Sequence, residues 1–128
     1  MRFAIIIFII SCVTILESSF ITNPVFAKLK TKCLCKSDAP INLVNDLLTK
    51  GLLVDNNCLK CYLECLLTEA GLLDSIGNVD VAFVDSVSIP GLTKTILLSC
   101  NINVTTDICE KAYLITKCLL DSIRLPLG

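Results

Sequence analysis

Cys58, Cys61 and Cys65 lie within residues 55–73, DNNCLKCYLECLLTEAGLL, and at 3.6 residues per turn they share one stripe of a helix, within roughly 60° of each other. Neighbouring cysteines on such a stripe hold their β-carbons too far apart and too nearly parallel to bond to one another. Each sulfur is therefore directed at another segment of the chain. Asp55 or Asn56 can cap the helix start, and Gly71 supplies the left-handed residue that ends it. Around the wheel, Tyr62, Leu73, Leu66, Leu59, Ala70, Leu63 and Leu67 widen the apolar arc to roughly 240°, against about 100° for an ordinary surface helix. Lys60, Glu64 and Thr68 are left as a wet strip. The expected element is a buried central post, stapled on one side and packed on the other.

What precedes this post reads as a leader followed by a small domain. Met1-Arg2 introduces a 14-residue apolar run, Phe3 to Leu16, shorter than the 18 or so residues that cross a bilayer. Val25-Phe26-Ala27 places small or branched residues at a cleavage position, so the expected leader is 1–27 and the expected domain 28–128. That domain carries eight cysteines, an even number in a small secreted chain, which argues for a disulfide framework. Its 10 basic and 11 acidic residues nearly cancel, giving no support for nucleic acid or an anionic membrane surface as a partner. Between Lys28 and Gly128 there is one phenylalanine, Phe83, with two tyrosines and no tryptophan. A molecule bound inside is expected to meet aliphatic walls.

The remaining periodicity is helical. Pro40 opens a helix carrying Ile41, Leu43, Val44, Leu47 and Leu48, which Gly51 closes. Asp74 to Asn78 has turn chemistry, and the same residues with Asp80 fall short of a cation-loop ligand set. Val79, Phe83 and Val87 fall on one face, although Val79 to Val84 is the one branched run that also suits a strand. Gly91 to Cys100 suits another helix. Asp107 or Thr106 caps the last, with Glu110 placed as in a capping box. On that helix Cys109 shares an arc with Ile108, Ala112, Tyr113, Ile115, Leu119, Leu120 and Ile123, whereas Cys118 sits roughly 180° away. The natural assignment sends Cys109 to the central helix and Cys118 to Cys100.

The cysteine spacing then becomes specific: Cys61-x3-Cys65, 34 residues to Cys100, eight to Cys109 and eight to Cys118, with a cysteine some 25 to 27 residues before Cys61. With the leader and the segment CYLECLLTEAGLLDSIGNVD, this resembles the pheromone and general odorant-binding family of insects. The resemblance implies an all-α, compact, disulfide-braced bundle of about six helices around a hydrophobic cavity. It implies bridges from Cys33 or Cys35 to Cys65, from Cys61 to Cys109, and from Cys100 to Cys118. The chain departs from a six-cysteine pattern by one further pair. By position, Cys33–Cys65 is favoured, leaving Cys35–Cys58 as an expected fourth bridge, with Cys33 and Cys35 exchangeable. Both can close only if the chain leaves helical geometry near Leu34 to Ser37.

The expected function is a secreted, soluble carrier of small hydrophobic ligands such as odorants, pheromones or other aliphatic semiochemicals and lipids. Its partners are the ligand and a membrane chemoreceptor, with the protein a monomer or weak homodimer. The alternative is a secreted interaction or membrane-active factor on the same scaffold. The expected lining is Leu63, Leu66, Phe83, Val87, Leu97, Ile115, Thr116, Leu119 and Leu127, and the hydroxyls of Tyr62 and Tyr113 are further polar handles. Thr116 either meets ligand or bonds back to the carbonyl of Ala112. Asn103-Val104-Thr105 is a glycosylation sequon in an expected loop. No enzyme, cofactor or metal is expected: there is no histidine, no Gly-rich phosphate loop, and bridges use every cysteine of the domain.

Overall fold

The computed structural model describes residues 20–124. Among them the chain forms seven helices: α1 Pro24–Ala27, α2 Lys30–Ser37, α3 Ile41–Lys50, α4 Asn57–Ala70, α5 Ala82–Ser86, α6 Lys94–Ser99 and α7 Ile108–Arg124. The described residues contain no strand, and the branched run after Val79 contributes one isolated antiparallel bridge from Val79 to Leu73. The architecture is all-α and disulfide-braced, as expected. α4 is its centre, packed most extensively against α7 and next against α2.

Local chemistry sets the ends of α4. The Asn56 side chain accepts from the Leu59 amide at 3.0 Å, satisfying one of the donors left free at a helix start. At the other end Gly71 turns at φ 89°, a left-handed geometry that a side chain would strain. The helices on either side of Pro90 are shorter than periodicity suggests. Gly91, at φ 85°, interrupts the backbone, and α6 starts only after Thr93, whose side chain accepts from the Ile96 amide at 3.1 Å. Asp74 accepts from the amides of Ile76 and Asn78 at 3.0 and 2.9 Å, so its carboxylate is used to close the turn after α4.

Three disulfides hold this frame. Cys33–Cys65 ties α2 to α4, Cys61–Cys109 ties α4 to α7, and Cys100–Cys118 ties the end of α6 to α7. The expected Cys35–Cys58 bridge is not formed, and both residues are exposed thiols. The reason lies in α2, which stays helical through Ser37. Residues two apart on a helix point roughly 200° away from each other, so with Cys33 buried against α4, Cys35 faces solvent. Alkylation of the unreduced protein followed by peptide mapping is expected to label Cys35 and Cys58 and no other cysteine between Phe20 and Arg124. Recovery of a Cys35–Cys58 crosslinked peptide would contradict this geometry.

The core also reaches further toward the N-terminus than the expected domain boundary. Phe20, Ile21 and Phe26 are 2, 1 and 0 % exposed. Phe26 stacks on Phe83 with ring centroids 6.3 Å apart and meets Phe20 edge-on at 5.7 Å. Asn23 caps α1 through the Val25 amide at 3.0 Å and donates to the Ser88 carbonyl at 3.4 Å. The interior is thus leucine-rich with an aromatic trio at one side, not uniformly aliphatic.

Candidate functional site

Most of the expected lining residues converge. Leu63 and Leu66 from α4, Phe83 from α5, Leu97 from α6, and Ile115 and Leu119 from α7 are each at most 2 % exposed and belong to one continuous apolar cluster. They meet because each helix turns a single apolar stripe inward, and the bridges at Cys61–Cys109 and Cys100–Cys118 hold the α4, α6 and α7 stripes face to face. Val87, just past α5, is half-buried against the same cluster. Leu127 lies outside the described residues. These side chains are packed against one another. Two clefts among the described residues lie elsewhere: one of about 480 Å³ between the end of α3 and α7, lined by Leu52, Leu53, Tyr113, Lys117 and Leu120, and one of about 340 Å³ beside Cys61 and Cys65.

The polar groups of the interior divide clearly. Thr116 is fully buried, and its hydroxyl donates to the Ala112 carbonyl at 2.7 Å, which satisfies it within its own helix. Tyr62 is also fully buried, yet its hydroxyl has no hydrogen-bond partner among the described residues. Burial pushes its pKa up to about 12, so the phenol stays protonated throughout the neutral range. Tyr113 is half-buried at the larger cleft, under the Lys60 ammonium, which sits 4.8 Å from the ring centroid.

Lys60 is the residue that pattern reading misplaced. It belongs to the expected wet strip, but its side chain is only 13 % exposed and is clamped by Glu110 at 2.7 Å and Asp55 at 2.9 Å. Those hydrogen bonds, Glu110's first, hold its pKa well above the usual lysine value. Glu110 is consequently committed to α4 and does not complete a capping box. Asp107 alone caps α7, accepting from the amides of Cys109 and Glu110 at 2.9 and 3.3 Å. An i to i+3 spacing identifies a capping box only where no cation from another helix competes for the glutamate.

Acid response follows from the one carboxylate of the described residues with a clear shift. Glu69 is held below the ordinary value of 4.5 by the hydrogen bond and charge of Lys32 at 2.8 Å, with Lys36 at 3.5 Å adding to it. A depressed carboxylate stabilises the fold above its unfolded pKa, and that contribution is lost as pH falls through the folded value. With no histidine in the chain, melting temperature is expected to be nearly flat between about pH 5 and 7 and to decline below about pH 4.5. Thermal melts across that range check this, and a steep step between pH 5 and 7 would contradict it.

Asn103 of the sequon is exposed in the loop before α7, with Lys111 3.5 Å from its side-chain oxygen. No described helix is long and apolar enough to cross a membrane. Among known proteins, the chain is similar to general odorant-binding protein 69a of Drosophila melanogaster, at 27% identity over 96 residues. The alignment covers 73% of this chain and 65% of that protein. No solved structure matches. The model of the PBP/GOBP family matches residues 23–122, which takes in all three disulfides and every described residue of the apolar cluster except Phe20 and Ile21. A match that runs through the whole bridged frame, on a chain whose helices and cysteines are arranged as that family's spacing implies, leaves one assignment: the chain belongs to the PBP/GOBP family.

Proposed function

We propose that this protein is a secreted carrier that holds a small, largely aliphatic molecule such as an odorant, pheromone or lipid among α4, α5, α6 and α7, and presents it to a partner such as a membrane chemoreceptor. Family membership supports a soluble carrier of hydrophobic ligands, a binding protein and not an enzyme. The observation that carries the reading is the convergence of Leu63, Leu66, Phe83, Leu97, Ile115 and Leu119 inside a frame bridged at three points. Their apolar side chains part to admit a ligand while the disulfides keep the bridged helices from separating. Burying about 300 Å² of apolar ligand surface at about 25 cal/mol per Å² is worth about 7.5 kcal/mol, which corresponds to a dissociation constant of a few micromolar with no specific contact.

The same reading includes removal of a leader, with the cut upstream of Phe20 and not before Lys28. The burial of Phe20, Ile21 and Phe26 and the start of the family match at residue 23 support this shorter leader. A glycan on Asn103 fits the exposure of that side chain. The carrier works as a monomer or weak homodimer.

The test is displacement of a fluorescent hydrophobic probe from the purified secreted protein by aliphatic compounds, run beside a leakage assay on dye-loaded lipid vesicles. Displacement without leakage is the expected result. Leakage without displacement would assign the scaffold to membrane action instead.

A further inference from the structure

We propose that the Tyr62 hydroxyl is the polar anchor of the ligand site, donating one hydrogen bond to an uncharged oxygen, that of an aldehyde, ketone, ester or alcohol, on an otherwise aliphatic ligand. The proposal rests on the carrier reading and adds to it the residue that discriminates among ligands.

Tyr62 is wholly buried on α4, the helix that carries Leu63 and Leu66. It is the one buried side-chain N or O atom of the described residues that the protein leaves without a hydrogen-bond partner. A buried phenol ordinarily finds an acceptor, because leaving it unpaired forfeits the hydrogen bonds it made in water. Phenylalanine fills nearly the same volume without that penalty, and the interior uses phenylalanine at Phe20, Phe26 and Phe83, where only apolar contact is made. Thr116, the other fully buried hydroxyl, is already satisfied by Ala112 and is not free to discriminate.

The charge of the acceptor follows from the surroundings. The phenol keeps its proton through the neutral range, so it offers a donor and no charge. Lys60, two residues earlier on α4, is bound by Glu110 and Asp55 and supplies no counter-ion. A carboxylate ligand would therefore be buried without a cation, which is far costlier than burying a neutral carbonyl.

The sequence also supplies the reporter. The chain has two tyrosines and no tryptophan, so in a Tyr113→Phe variant near-ultraviolet absorption by tyrosine comes from Tyr62 alone. Dodecanal and dodecyl acetate are expected to shift that band to the red on binding, and dodecane is not. In probe displacement, Tyr62→Phe is expected to lose about 3- to 10-fold of the preference for dodecanal over dodecane, the worth of one neutral hydrogen bond, while binding dodecane as well as the parent or better. Dodecanoate is expected to gain nothing from the tyrosine. An unchanged preference in Tyr62→Phe, or an unshifted tyrosine band with dodecanal bound, would overturn the anchor and leave the carrier intact. Failure of every aliphatic compound to displace the probe from the parent protein would instead remove the carrier reading, and the anchor with it.

Discussion

In a protein that begins at Phe20, Phe26→Ala is expected to lower the free energy of unfolding by about 3 to 5 kcal/mol, the usual cost of truncating a fully buried aromatic side chain. Phe26 is 0 % exposed, and removing its ring abandons both Phe83, which it stacks on, and Phe20, which it meets edge-on. Each aromatic contact adds about 0.5 to 1.5 kcal/mol beyond the area buried. Since a whole domain of this size is stable by only about 5 to 15 kcal/mol, such a loss should be plain in the urea midpoint. A silent substitution would mean that residues 20–27 detach from the domain, as they would if the leader were cut before Lys28. The intact mass of the secreted protein settles the cut independently, because the two boundaries differ by eight residues.

The second large effect is expected at the seam between α4 and α7. Replacing Cys61 and Cys109 together by alanine opens a loop with a sequence separation of 48, worth about 4 kcal/mol in the chain-entropy account. The same replacement at Cys100 and Cys118, with a separation of 18, is expected to cost about 3 kcal/mol. Both are best measured by urea unfolding in a protein carrying Cys35→Ser and Cys58→Ser, so that the free thiols cannot exchange with the remaining bridges. Lys60 and Glu110 cross the same seam as Cys61 and Cys109. A partly exposed ion pair is weak beside a covalent bridge and does not stand in for the crosslink. If the Cys100–Cys118 variant were the less stable by more than about 1 kcal/mol, strain or residual structure in the unfolded chain would outweigh loop length.

The two effects also divide the molecule. α4 and α7 make the frame that the bridges lock, while Phe20, Ile21 and Phe26 are packed into the interior without a disulfide. Ligand entry, under the proposed function, depends on the parts that no bridge holds. Variants at Phe26 are accordingly expected to alter uptake of the probe, and the single-bridge variants chiefly stability.

Much of this was legible before any coordinates. The limits of α4 follow from Asp55 or Asn56 and from Gly71 because capping is local chemistry, decided within a few residues. The inward stripes of α4 and α7 follow from helical periodicity, which also sends Cys109 and Cys118 to different partners. The same reasoning misread residues whose role depends on what lies across the fold. Lys60 looks solvated on its own helix, and only the arrival of Glu110 turns it into a clamp. The residues from Phe20 to Ala27 read as the end of a leader because their composition suits a cleavage site. In the fold Phe20, Ile21 and Phe26 of that stretch are buried, and Phe83 offers Phe26 a stacking partner.

Sequence alone thus determined that α3, α4 and α7 form, where the central one starts and stops, and which family's cysteine frame the chain carries, since these rest on spacing and on hydrogen bonds among near neighbours. The tertiary structure decided that Cys33 takes the bridge to Cys65 while Cys35 stays a thiol, and that Thr116 is satisfied while Tyr62 is not. Those outcomes depend on how far α2 stays helical and on which atoms meet across the interior. Contacts between segments distant in the chain leave no periodic mark in the residues that make them.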